Sequence, residues 1–219
     1  LVRWRLEDGT YLPPSSFVDI FEKNLFCSKL DFYMLKKAIQ QIRKWIDMGM
    51  NPVNISVNQS KIVFYHENYI SELKSLLEEY NVSGSYITLE VLESTVIEDI
   101  DMFNSILTEV KKLGFSVSLD DFGSGYSSLN VLSKLQIDEL KIDRIFLHTK
   151  SEVDNQRTKW ILESIIDIAK KSQILVVVEG VESKQDDLFI KNLGADVGQG
   201  YFYGRPLSIS AFNDLIETK

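Results

Sequence analysis

The stretch "SLDDFGSGYSS", Ser118 to Ser128, puts two adjacent carboxylates, Asp120 and Asp121, where an apolar run meets a loop rich in glycine and serine. Val117 to Leu119 reads as the end of a buried strand. Two neighbouring aspartates are ordinarily a solvated turn, so the rest of the chain has to show whether this pair is more than that. "DFG" also occurs in protein kinases. This chain has no G-x-G-x-x-G loop, no V-A-I-K strand and no H-R-D, which excludes a kinase.

Working outward from that stretch, seven short β-like runs stand out: Leu1–Leu6, Val53–Asn58, Tyr86–Glu93, Ser116–Phe122, Glu139–Arg144, Ile174–Val181 and Val197–Phe202. Most are separated by amphipathic helical patterns. Between Asp31 and Met48 the apolar positions are Phe32, Leu35, Ala38, Ile39, Ile42, Trp45 and Ile46, at helical spacing, with Gly49 as a C-terminal cap. Phe103, Ile106, Leu107, Val110 and Leu113 form a second stripe closed by Gly114. Trp160, Ile161, Ile165, Ile168 and Ala169 form a third. Leu188, Phe189 and Leu193 end at Gly194. Strands alternating with helices imply parallel β/α units, and no low-complexity linker or repeat divides the chain, so one domain over residues 1–219 is expected.

The polar residues fall at the strand ends. Asn58, Glu90 with Glu93, Asp120 with Asp121, Lys141 with Asp143, Glu179 with Glu182, and Gln199 each close a run that is otherwise apolar. A doubly wound sheet gathers ligands at one crevice, whereas a closed barrel points the C-terminal end of every strand at one mouth. Polar residues on nearly every strand favour the barrel. Such a barrel has eight strands; the missing one is expected upstream of Leu1, which makes this an α/β barrel without its N-terminal part.

The chain has 219 residues, 44% hydrophobic and 26% charged, with a formal net charge of -8. That balance suits a soluble globular domain and disfavours a broad nucleic-acid face, which needs a basic patch, so no DNA partner is expected. One cysteine, Cys27, excludes an internal disulfide, and no apolar run approaches the length of a membrane span. No signal peptide is visible, and the expected setting is the cytoplasm. The two histidines, His66 and His148, read as surface residues.

In a closed barrel Glu90, Asp120, Asp121 and Glu179 would share one centre. Carboxylates so close must take up protons or cations to coexist. Lys141 supplies one positive charge, which leaves a deficit that divalent ions meet. Oxygen donors without histidine or cysteine suit Mg²⁺ or Mn²⁺ rather than zinc. With Asn58 adding a neutral carbonyl, Asp120 could bridge two ions while Asp121 binds one, an arrangement used for phosphodiester cleavage. Lys141 could orient the attacking water, and the loop Gly123–Ser128 could close over a substrate.

The motifs resemble those of the EAL domain family. "LVRW" (Leu1–Trp4) is similar to the tail of "EALxRW". "LPPSSFVDIFE" (Leu12–Glu22), "SVNQS" (Ser56–Ser60), "LEVLES" (Leu89–Ser94), "DDFGSGYSSL" (Asp120–Leu129), "LKIDR" (Leu140–Arg144), "EGVE" (Glu179–Glu182) and "QGYFYGRPL" (Gln199–Leu207) follow in order, across essentially the whole chain. The resemblance implies a modified TIM-type (β/α)8 barrel with one strand reversed. It implies a phosphodiesterase that opens the bacterial second messenger cyclic di-GMP to linear pGpG with two Mg²⁺ or Mn²⁺ ions. By position, Asn58, Glu90 and Asp120 match the ligands of one metal, and Asp120, Asp121 and Glu179 those of the other. Lys141 matches the lysine near the attacking water, and Gln199 a residue that holds a metal-bound water. Arg3 matches the arginine that grips substrate phosphate, Glu22 an acid of the site rim, and Glu93 the glutamate that anchors the glycine-rich loop.

The resemblance further implies a homodimer, with contacts from the loop after Asp121 and the segment after Arg144, and a sensor or cyclase domain upstream. Two departures stand out. Leu92 occupies a position where threonine is common in the family, and the sequence begins just after the place of the first glutamate of "EAL", a metal ligand. Without that glutamate, a receptor or scaffold of the same fold that binds the dinucleotide without cutting it is the alternative. A different metal-dependent phosphodiesterase is a third.

Overall fold

The computed structural model describes residues 2–24, 26–96, 99–124, 129–147 and 152–217. Its contacts divide into two compact units, Leu1–Val117 and Ser118–Lys219.

A hairpin opens the first unit. β1 (Trp4–Arg5) runs antiparallel to β2 (Tyr11–Leu12). The sequence suggested one strand over Leu1–Leu6, and the Asp8-Gly9 turn accounts for the difference. Gly9 takes φ +87, a conformation open to glycine at no steric cost. The Leu6 amide donates to the Thr10 carbonyl at 2.8 Å, and Asp8 Oδ1 accepts from Thr10 N at 2.9 Å. Helices α1 (Val18–Lys23) and α2 (Cys27–Asp47) follow. Then come β3 (Ile55–Gln59), α3 (Lys61–Phe64), α4 (Tyr69–Tyr80), β4 (Ile87–Leu92), α5 (Glu93–Val96) and α6 (Ile100–Lys112). β3 and β4 pair in parallel from Ile55↔Ile87 to Gln59↔Val91.

Helix α2 buries Leu35, Ala38, Ile39, Ile42 and Trp45, the face its spacing predicts, and ends at Gly49, whose amide donates to the Ile46 carbonyl. Val57, Leu73, Ile87, Leu89, Leu107 and Val110 are also in the apolar core of this unit. Phe64 meets Phe103 edge-on at 4.8 Å between ring centres. Removing side chains of this size from water contributes about 1.5–3 kcal/mol each, which is what holds β3 and β4 under their helices.

β5 (Ser116–Phe122) matches its sequence expectation residue for residue and leads into the second unit. After it come α7 (Leu129–Lys134), β6 (Glu139–Ile142), α8 (Glu152–Lys171), β7 (Leu175–Val178), α9 (Lys184–Leu193), β8 (Val197–Gly198) and α10 (Ile209–Glu217). β5, β6, β7 and β8 are successive parallel neighbours. Parallel order brings all their C-terminal ends to the same edge.

The apolar stripe of α8 differs from the expected one. Leu162, Ile165, Ile166 and Ala169 are buried, whereas Trp160 is 59% and Ile161 52% exposed. The helix is turned by about one position from the face its apolar spacing suggested. On α9 the buried positions are Asp187 and Ile190, and Leu188 faces solvent. Among the described residues no helix is long and apolar enough to cross a membrane.

Candidate functional site

In a regular strand adjacent side chains point to opposite faces. Asp120 and Asp121 would then face apart, yet their carboxylates lie close together, because β5 is bulged there. Its register with β6 runs Ser118↔Glu139 and Leu119↔Leu140, then resumes at Phe122↔Ile142. Two residues of β5 therefore oppose one of β6, Lys141. Asp121 takes φ +57, a left-handed conformation that aspartate tolerates better than most residues. A bulge of this kind re-aims a side chain. It brings Asp120, buried, and Asp121, half-buried, to the same place as Glu179, with ligand oxygens within 4.8 Å of one another.

Lys141 binds this group together. Its side chain is 6% exposed, and Nζ lies 3.0 Å from Asp120 Oδ1 and 2.6 Å from Glu179 Oε1. Glu179 follows β7 directly, its amide donating to the Ile142 carbonyl at 2.9 Å. Gly180 behind it takes φ +73, and a Cβ there would run into Cβ of Arg144. Gln199 follows β8, its amide donating to the Val178 carbonyl at 2.9 Å and its Nε2 to Glu179 Oε1 at 3.3 Å. The result is a continuous line from Asp120 through Lys141 and Glu179 to Gln199 across four strand ends.

Three carboxylates so close carry a surplus of negative charge that Lys141 offsets only in part. Asp121 registers the surplus: its carboxyl is held above the ordinary carboxylate range, first by burial and then by Asp120, Asp143 and Glu179, with Lys141 acting against them. Hard oxygen donors converging with uncompensated charge fit a divalent cation such as Mg²⁺ or Mn²⁺.

In the first unit Asn58 and Glu90 are register partners on β3 and β4. Parallel neighbours in register share a face about 4.8 Å apart, so the Asn58 side chain stands beside the Glu90 carboxylate. Glu90 is 7% exposed and Asn58 is exposed. Glu93 is buried at the start of α5. Arg3, ahead of β1, and Glu22, on α1, are exposed. Glu182 is exposed, its amide donating to Asp186 Oδ2 in the N-terminal cap of α9. His66 is on the surface, as expected, and burial with Asp31 and Glu22 pushes the Cys27 thiol up to about 11, so it stays protonated. His148 and loop residues Gly125–Ser128 lie outside the described residues.

Residues 1–206 match the family model described as EAL domain. Over 207 residues the chain is 33% identical to the bifunctional diguanylate cyclase/cyclic di-GMP phosphodiesterase MucR of Pseudomonas aeruginosa, covering 94% of this chain and 30% of that protein. It is 31% identical over 213 residues to the cyclic di-GMP phosphodiesterase PdeR of Escherichia coli, covering 97% of this chain and 32% of the relative. The chain thus spans about a third of the length of these relatives. Among solved structures, the PaMucR phosphodiesterase in complex with c-di-GMP superposes with a TM-score of 0.87 at 32% identity, covering 97% of this chain and 85% of that one. The EAL enzyme Bd1971, solved with cAMP and cyclic di-GMP bound, gives 0.86 at 28% identity, covering 98% and 58%.

Proposed function

From the premise that the chain belongs to the EAL domain family, with an α/β fold shared with those enzymes, we propose that it hydrolyses cyclic di-GMP to linear pGpG with divalent metal ions. The observation that carries this is the Asp120–Asp121–Glu179 cluster clamped by Lys141. The ligands proposed for one ion are Asn58, Glu90 and Asp120, and for the other Asp120, Asp121 and Glu179, the positions that match the family's motifs. Mg²⁺ or Mn²⁺ held there would neutralise phosphate oxygens and lower the pKa of a coordinated water.

The chain's own groups have distinct tasks. Asp121 is proposed to accept a proton from the attacking water at its Oδ. Lys141 holds Asp120 and Glu179 together and presents an N–H donor to the charge that develops on phosphate. Gln199 fixes the Glu179 carboxylate and presents its remaining amide groups to a water. Arg3 is proposed to grip a substrate phosphate, Glu22 to form part of the rim, and Glu93 to hold the loop after Asp121.

The wider setting is proposed likewise: one domain of a longer cytoplasmic signalling protein, with a sensor or cyclase domain upstream, working as a homodimer. The test is incubation of the purified protein with cyclic di-GMP and Mn²⁺, with products separated by liquid chromatography. Formation of pGpG that EDTA abolishes supports hydrolysis. Calorimetric binding of the dinucleotide without turnover identifies a receptor instead, and neither binding nor turnover overturns the proposal.

A further inference from the structure

A buried polar cluster in the first unit takes no part in the chemistry above. Asp31, near the start of α2, is 8% exposed. Its Oδ2 accepts from the Ser60 amide at 2.9 Å and from Ser60 Oγ at 2.5 Å. Tyr69, the first residue of α4 and 2% exposed, donates from its hydroxyl to Gln59 Oε1 at 3.0 Å. Gln59 is buried and donates from Nε2 to the Asn58 carbonyl at 2.9 Å.

All four bonds converge on the backbone around Asn58, where the ladder between β3 and β4 stops at Gln59↔Val91. Side chains from two helices take over as the strand pairing ends. Burial alternates along this strand: Val57 and Gln59 face the core, and Asn58 is turned to the other face, beside Glu90. A rotation of the backbone at residues 58–60 would therefore swing the Asn58 amide away from Glu90. A buried polar network with its partners in place rigidifies the segment it binds. Apolar side chains would fill the same space without the desolvation that holds the Asp31 carboxyl up at about 6. The carboxylate gives what an apolar residue does not, a fixed position for Ser60.

We propose that Asp31 and Tyr69 are positioning residues for Asn58: through Ser60 and Gln59 they fix the end of β3 and keep the Asn58 side chain beside Glu90. This deepens the metal-site proposal and rests on Asn58 being a ligand.

The test uses the full chain and the variants Tyr69→Phe, Ser60→Ala, Asn58→Ala and the two double variants with Asn58→Ala. Two quantities are read beside the melting temperature. One is the Asn58 side-chain NH2 pair in a metal-free ¹⁵N NMR spectrum. The other is the Mn²⁺ dissociation constant, from the paramagnetic resonance of free Mn²⁺. Tyr69→Phe is expected to shift or broaden the NH2 pair and to weaken Mn²⁺ binding about ten-fold. In the Asn58→Ala background it is expected to cause no further loss. An unchanged NH2 pair with an unchanged constant overturns the proposal, and so does an equal loss in the Asn58→Ala background, which would mark a general effect on the fold. If Tyr69→Phe lowers the melting temperature by more than about 10 °C, Ser60→Ala decides by the same criteria. If the wild type binds no Mn²⁺, the ligand reading fails, and the NMR arm alone decides the brace.

Discussion

Replacing Lys141 with methionine removes the ammonium and keeps most of the apolar stem. In the folded chain Nζ lies 2.6 Å from Glu179 Oε1 and 3.0 Å from Asp120 Oδ1, with side-chain exposures of 6% for the lysine, 21% for the glutamate and 13% for Asp120. At an effective dielectric of 20, unit charges at those distances attract by roughly 6 and 5.5 kcal/mol. Desolvation cancels much of that gain. Removing one partner nonetheless costs about 3–5 kcal/mol, because the remaining charges are left buried and uncompensated. Lys141→Met is therefore expected to lose about 4 kcal/mol at pH 8 in the absence of metal. With a urea slope of about 2–3 kcal/mol/M, the unfolding midpoint falls by about 1.5–2 M. Acid should narrow the gap. Lys141 acts against the upward shift of Asp121, so without it that carboxyl binds protons still more tightly folded than unfolded, and the deficit is full above its folded pKa and shrinks as pH falls through it. Mn²⁺ should narrow it as well by supplying the lost charge, while hydrolysis stays at least about 100-fold down without the lysine's donors. Paired urea titrations at pH 8 and pH 5 check the sign. A loss below about 1 kcal/mol at pH 8, or a deficit that grows in acid, refutes the crowded cluster.

Asp121→Asn keeps the size and removes the charge; it is expected to weaken Mn²⁺ binding at least about ten-fold and to raise the metal-free melting temperature slightly, since ionising Asp121 works against folding. Titration calorimetry and thermal melts read the two effects. Asp31 has a folded pKa of about 6 against an ordinary 3.8. A raised carboxyl stabilises the fold below its unfolded pKa and loses that contribution as pH climbs to the folded one. Wild type should therefore lose about 2 kcal/mol from this group between pH 4 and pH 6, and Asp31→Asn should flatten the slope in urea titrations across that window. Gly180→Ala faces both a left-handed φ and the Arg144 side chain, so a loss of at least about 2 kcal/mol is expected in the same assay.

Much of the site could be read from the sequence because its residues sit where apolar runs stop. Asp120, Glu179 and Lys141 each end a short β-run, and the parallel order of β5 to β8 carries those ends to one edge. The bulge was not legible. "DD" is the same two letters whether the strand alternates or slips, and only the register against Lys141 shows that both carboxylates face one way. The hairpin Trp4–Leu12 hid for a related reason: Asp8-Gly9 marks a turn, but its flanking strands are two residues each, too short for alternation to show. On α8 the apolar spacing drew the predicted face toward Trp160 and Ile161, whereas the helix buries Leu162, Ile166 and Ala169. Asp31 reads as an ordinary acid in the first turns of a helix. Its partner is 29 residues away, and no local pattern announces it.

The proposed reaction requires Asp120, Asp121 and Glu179 to hold doubly charged ions where cyclic di-GMP binds. The most direct measurement is anomalous diffraction at the manganese edge from crystals grown with Mn²⁺ and the dinucleotide. Anomalous peaks are expected within about 2.0–2.6 Å of those carboxylate oxygens, with their loss in Asp120→Asn/Asp121→Asn crystals. Bound dinucleotide with no anomalous peak at the three carboxylates would contradict it.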